Sequence, residues 1–320
     1  MLRVLTCAVV SVSLLMSGAA HAAWPERPVT IVTPFAAGGI ADVVARMTAQ
    51  RLQEKLGQTF IVENQPGAAG VIAAERVIKS APDGYTLMST PIFQLTMAPY
   101  THNVTFEAQR DFTPISSVAA APFVITVNSS FPGKTLADFI TYVKANPGKL
   151  TFGSAGAGSL THISELVVLK AAGLDMIHVP YRGVLPAFND LLAGHIVMAS
   201  ASPVELKPFI DSGKVKPLAV VNKVRSPHLP NVPTVMETLP NCPPVVTYNG
   251  LLGPAKLSKE ALDAMTRVLV EAGKDPAFRD RLFKAGLEPM LTTPEEFAKI
   301  VAADTDQWRD IVRGMNLKPQ

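Results

Sequence analysis

Two glycine-rich stretches hold the residues best suited to chemistry: Thr33-Pro34-Phe35-Ala36-Ala37-Gly38-Gly39 and Gly153-Ser154-Ala155-Gly156-Ala157-Gly158-Ser159. Glycine tolerates backbone angles that other residues resist, so consecutive N–H groups can point into one concavity. A helical pattern follows each stretch, at 40–56 and 160–172. Its first turn adds unpaired N–H groups and the positive end of a helix dipole. Strand, glycine turn and helix start together suit an anion. The predicted chemistry is the grip of a small carboxylate by main-chain amides. The two turns, one holding Phe35, Ala36, Gly38 and Gly39 and the other Ser154, Ala155, Gly156, Gly158 and Ser159, face each other across a cleft.

Rival chemistries lack their residues. A phosphate loop needs a lysine and serine or threonine after its last glycine, and neither stretch has them. Gly156-Ala157-Gly158 is followed by Thr161 where a dinucleotide fingerprint needs glycine, and Phe152 and Ala157 stand where a nucleophile-elbow serine needs one. Close strand–helix packing is the plain alternative for both turns, and their recurrence in the same layout weighs against it. Asp42, in the first turn of helix 40–56, is either a dipole-complementing carboxylate or a receiver of a ligand's ammonium or hydroxyl. Thr90 and Pro91, with Phe93, end one strand, and Ser200, Ser202 and Pro203 end another; each set either lines the pocket or belongs to a surface loop. His162 reads as a packed histidine, Arg182 as either a partner for a carboxylate or a rim or packing residue, and Glu165 and Glu205 as helix-face charges. There is no metal-spaced cluster, nucleophile with base, or cofactor lysine. The sequence therefore argues for binding without cofactor or metal, and not for an enzyme.

The elements around these turns follow from apolar periodicity and punctuation. Strand 28–33, helix 40–56, strand 59–63, a glycine-rich turn at 64–70, helix 71–80 and strand 85–89 alternate. That rhythm implies a largely parallel sheet covered by helices, with ligands at the carboxyl ends of the strands. Strands 111–115 and 123–127 follow, with Ala119-Ala120-Ala121-Pro122 between them as a first crossing into a second domain. There helix 136–145, strand 150–153, helix 160–172, strand 176–179, helix 185–193, strand 195–201, helix 204–211 and strand 217–221 are expected. The remainder carries strand 247–252 and helices 258–272, 276–285 and 294–314. The division is 23–121 with 222–320 in one domain and 122–221 in the other, so the chain crosses twice and the fold class is an α/β, two-lobed clamshell of the Venus-flytrap kind.

Composition sets the compartment. Met1-Leu2-Arg3, the apolar run 4–16 and Ala20-His21-Ala22 form a secretory signal peptide over 1–22, with the mature chain starting at Ala23 in the periplasm. Removing Arg3 takes Lys and Arg from 29 to 28 against 26 acidic residues, a net charge of +2 that gives no field for nucleic acid. Cys242 then stands alone, so no internal disulfide forms and the fold rests on its cores. Nearly 300 residues exceed one comfortable core, which again favours two domains.

The whole mature length resembles the substrate-binding proteins of tripartite tricarboxylate transporters, the Bug-type receptors. Five stretches carry the resemblance: Trp24-Pro25-Glu26-Arg27-Pro28-Val29 leading into Pro34–Asp42; Glu63-Asn64-Gln65-Pro66-Gly67-Ala68-Ala69-Gly70; Ala81-Pro82-Asp83-Gly84-Tyr85-Thr86-Leu87; Gly153–Ser159 with His162; and His178-Val179-Pro180-Tyr181-Arg182-Gly183. The resemblance implies a bilobed periplasmic binding fold of the two-crossing type. It also implies a carboxylate held by backbone N–H groups and ordered waters from the two glycine turns, with no arginine clamp. Asp42 matches the family's aspartate near the ligand. The chain departs from the family pattern at Gly39-Ile40-Ala41-Asp42 and at Met198-Ala199-Ser200-Ala201-Ser202, and both departures bear on ligand identity. The function expected is a monomeric receptor that presents a dicarboxylate, tricarboxylate, amino acid or aromatic acid to inner-membrane permease subunits. A receptor feeding a sensor pathway and an enzyme of unrecognised type are the alternatives.

Overall fold

A computed structural model of the chain describes residues 24–314; the signal peptide expected at 1–22 lies outside them. Strand β1 (Val29–Thr33) leads to helix α1 (Ile40–Leu56), β2 (Phe60–Asn64), α2 (Val71–Ile78), β3 (Thr86–Pro91) and three short helical turns, α3 (Phe93–Thr96), α4 (Ala98–Thr101) and α5 (Ala108–Asp111). Next come β4 (Phe112–Pro122), β5 (Val124–Asn128), α6 (Leu136–Lys144), β6 (Thr151–Ser154), α7 (Leu160–Ala172), β7 (Ile177–Pro180), α8 (Val184–Ala193), β8 (Met198–Ala201), α9 (Pro203–Asp211) and β9 (Val215–Val220). The chain closes with β10 (Val246–Pro254), α10 (Lys259–Gly273), α11 (Pro276–Lys284), β11 (Glu288–Pro289) and α12 (Pro294–Gly314).

These strands form two sheets, β11-β4-β10-β3-β1-β2 and β7-β6-β8-β5-β9. The parallel expectation holds for β1 with β2 and β3, and for β6 with β7 and β8. Long β4 and β10 instead run antiparallel beside β3, as β5 does beside β8 and β9, so both sheets are mixed. Ala119–Pro122, read from sequence as a crossing, is the end of β4 and pairs with Val246–Asn249. Alanine is a poor strand former, but here both faces of the strand are covered and burial decides.

α1 shows why its residues make a helix. Ala41, Val44, Ala45, Thr48, Ala49 and Leu52 fall on one buried stripe, and Gly57 ends the helix at φ 74°. Val44 and Leu52 are fully buried against the first sheet, each contributing about 2 kcal/mol over exposure. α7 is buried nearly all round, because the segment 235–245 and α12 cover the side that the second sheet leaves open. Val235, Cys242 and Val245 belong to that core, and Val245 N–H donates to Val221 O. We therefore place the second crossing at Val245–Val246, later than the 221–222 expected from sequence.

α12 ties the lobes together. Phe297 and Val301 pack in a first-lobe core, while Trp308 is fully buried among Phe152, Ile163 and Val235 of the second. Between them Asp304 accepts hydrogen bonds from Thr96 Oγ1 and, at 2.8 Å, Trp308 Nε1. Burial pushes its carboxyl up to about 6 against the pull of those donors.

Candidate functional site

The two glycine turns are built on one plan. β1 delivers the first turn, in which Gly38 takes φ 91° and Gly39 returns to extended angles as the N-cap of α1. β6 delivers the second, in which Gly158 takes φ 74° and Ser159 is the extended N-cap of α7. In each, the left-handed glycine donates its N–H to the side chain four residues on: Gly38 N to Asp42 Oδ2 at 2.9 Å, and Gly158 N to His162 Nδ1 at 3.1 Å.

The braces beneath differ. Asp42, 3% exposed, also accepts from Arg46 Nε at 2.9 Å and Asn64 Nδ2 at 2.8 Å, and Asn64 reaches Phe35 O as well. Burial pushes its carboxyl up, but hydrogen bonds from Arg46, Gly38 and Asn64 outweigh that and hold it below the usual carboxylate range. Beneath the second turn His162 stacks on His178 at 3.8 Å between ring centroids, and His178 on Phe152 at 5.0 Å. Burial, then the neighbouring His178, lowers His162 to about 4, and burial lowers His178 too, so both rings are neutral near pH 7. Ser154 Oγ lies 2.7 Å from His178 Nε2.

Several main-chain donors are thus spent inside the turns. Besides Gly38 and Gly158, Ala155 N donates to Thr161 Oγ1, Gly156 N to Ser154 Oγ and Ser159 N to Gly156 O. Among the described residues, the N–H groups of Ala36, Ala37, Gly39, Ile40 and Ala41 have no acceptor within the protein, and neither do those of Ala157, Leu160 and Thr161. The glycines set the turn; their neighbours present the donors.

A cleft of about 240 Å³ lies between the lobes. The first lobe gives it Phe35, Ile40, Ala41, Pro91, Phe93, Ala121, Thr247 and Asn249; the second gives Ala155, Ser159, Leu160, Thr161, Val184, Ser202 and Glu205, and Phe123 stands at the crossing. Of the residues expected from sequence, Phe35, Pro91, Ala155, Ser159 and Ser202 line this space. Ala36, Gly38, Gly39, Gly156 and Gly158 belong to the turns at its edge, while Asp42, Ser154 and Thr90 are buried behind them. Thr90 Oγ1 bonds to Pro91 O. Sequence reasoning missed Thr161, Val184, Thr247 and Asn249. Glu205 and Glu165, both read as helix-face charges, differ in place: Glu205 lines the cleft with Oε2 on Ser202 N and Oγ at 3.0 and 2.6 Å, and Glu165, on α7, is fully buried, which drives its carboxyl well up.

Two mixed sheets, two crossings and a polar-backed cleft between lobes define a solute-binding protein of the periplasmic type. Residues 44–317 match the family model of the tripartite tricarboxylate transporter family receptor, and the chain belongs to that family. Its members among solved structures are similar over nearly the whole length. The periplasmic binding protein BugD shares 32% identity with a TM-score of 0.75, over 93% of this chain and 100% of that one. An R. palustris protein solved with adipate shares 29% at TM-score 0.79, over 93% and 100%. MatC from Rhodopseudomonas palustris with bound malate shares 30% at TM-score 0.74, over 90% and 99%. The chain is a solute-binding receptor, as its relatives are, and not an enzyme. Among the described residues no helix is long and apolar enough to cross a membrane.

Proposed function

We propose that this receptor is exported behind residues 1–22, captures one small organic acid in the cleft and hands it to inner-membrane permease subunits. The observation that carries the reading is the convergence on one cleft of two helix starts whose leading N–H groups, those of Ile40 and Ala41 and of Leu160 and Thr161, have no acceptor among the described residues. Such donors, at the positive ends of α1 and α7, stabilise a carboxylate without a charged side chain. Among the described residues no lysine or arginine lines the cleft. Ligand shifts the lobes toward the closed form because only there do both jaws reach it. Similar proteins solved with malate and with adipate support a short acid as the ligand type, and a space of this size suits few heavy atoms.

A thermal-shift screen of the protein against mono-, di- and tricarboxylates, amino acids and aromatic acids tests the reading. At a hundredfold excess over Kd a matching acid raises the midpoint by about 5 °C. A flat response to every acid contradicts it.

A further inference from the structure

Among the described residues that line the cleft, Asn249 alone has buried side-chain polar atoms with no partner. It is 1% exposed, and neither Oδ1 nor Nδ2 has a partner among the described residues. A buried primary amide left this way forfeits the water it would otherwise bind, and native proteins rarely leave such groups unmatched. Its position is fixed by its strand. β10 shifts register against β4 between Asn249 and Gly250, and the outward space at Gly250 is filled by the Phe297 ring of α12. Successive strand residues face opposite ways, so Asn249 faces the cleft. Moving the amide elsewhere would require the strand to slip.

The charge lining the cleft narrows what meets that amide. Glu205, on the other lobe, is the only acidic or basic side chain among the described residues that line the cleft. A second carboxylate at the far end of the ligand would find a carboxylate and no cation. A carboxamide or hydroxyl gives the Asn249 Nδ2–H group an acceptor and its Oδ1 a donor, satisfying both at once.

We propose that Asn249 selects the ligand: the acid taken by this receptor carries one carboxylate, held by the amides of the two helix starts, and at its other end a neutral group that both donates and accepts hydrogen bonds. The inference rests on the receptor reading above and separates this chain from similar proteins solved with dicarboxylates.

The test uses three six-carbon probes of equal reach: adipate, its monoamide adipamate, and hexanoate, titrated calorimetrically into wild type, Asn249→Leu and Asn249→Ala. Wild type binds adipamate about tenfold or more tighter than hexanoate, the worth of one or two buried hydrogen bonds, and tighter than adipate. In both variants the adipamate preference over hexanoate collapses to within about threefold. Circular dichroism checks that each variant is folded, and if the leucine does not fit, the alanine alone decides. Equal ranking of the probes by wild type and a folded variant overturns the role of Asn249 while leaving the receptor intact. Tightest binding of adipate by wild type overturns the neutral-end assignment. Failure of all three to bind, in a protein that answers no acid in the thermal screen, overturns both readings.

Discussion

The two jaws share a backbone and differ in what holds it. In both, a left-handed glycine precedes the N-cap and donates to the third residue of the helix, yet that residue is Asp42 in α1 and His162 in α7. The first brace is a carboxylate knitted to Arg46 and Asn64; the second is a neutral imidazole stacked on a second imidazole and a phenyl ring. An acceptor at that position is what the turn requires, and its charge is open to choice. The choice has consequences. A charged brace adds a negative centre close behind the amides that meet the ligand, partly offset by Arg46. A neutral brace adds none, but it is lost when the imidazole takes a proton.

The comparison breaks most visibly at Asp42. Asp42→Ala leaves the Gly38 N–H, Arg46 and Asn64 without their shared acceptor and costs about 4 kcal/mol, as removal of one partner of a buried charged network does. Urea unfolding measures it, and Asp42→Asn, which keeps an acceptor, recovers part of the loss.

Acid separates the jaws next. His162 titrates at about 4 in the folded chain against 6.5 for a free imidazole. The native state binds fewer protons, so the stability of this brace is complete above about pH 6.5 and is lost as pH falls toward 4, roughly 3 kcal/mol in all. Asp42 has a folded value below that of the free carboxylate, so its contribution persists throughout that window. Asp304, raised to about 6, runs the other way: its native form holds a proton more tightly, and stability from it falls as pH rises through 6. The difference between wild type and His162→Asn, taken at pH 7 and pH 4, cancels Asp304 and isolates the histidine. The expected result is an asparagine variant that loses less stability on acidification.

Backbone strain sharpens the likeness. Gly38→Val and Gly158→Val force a branched side chain into left-handed angles, although no atom within 4 Å blocks either Cβ. Each costs about 2 kcal/mol of stability and weakens acid binding about tenfold or more by moving the adjacent donors. Calorimetric titration with the best acid from the screen checks both. Gly39→Ala is the control: its φ is −79° and its Cβ would meet only Ala36 O at 3.9 Å, so stability changes by less than about 0.5 kcal/mol.

Much of this architecture was written locally. Helices 40–56 and 160–172 stand where a glycine turn precedes an apolar stripe and Gly57 and Gly173 end it, because caps and periodicity act within a few residues. Within the expected turns Gly39 keeps its N–H free, whereas Gly38 and Gly158 lend theirs to side chains whose reach only coordinates reveal. Thr247 and Asn249 lay hidden in a strand, where one polar residue gives no periodic signal and the cleft forms from lobes distant in sequence. An asparagine beside glycine inside a strand was the available clue, because strands disfavour both. Glu165 read as a helix-face charge for a related reason: it is buried beside Ser200 of β8, a strand that follows α7 by some distance along the chain.

The central statement is that main-chain amides at the starts of α1 and α7 neutralise the acid. Amide-resolved NMR of the protein titrated with the tightest acid from the screen addresses it directly. The account predicts that the largest shifts fall on the N–H groups of Ala36, Ala37, Gly39, Ile40 and Ala41 and of Ala157, Leu160 and Thr161, saturating together. Saturable binding whose largest shifts lie outside both turns would contradict it.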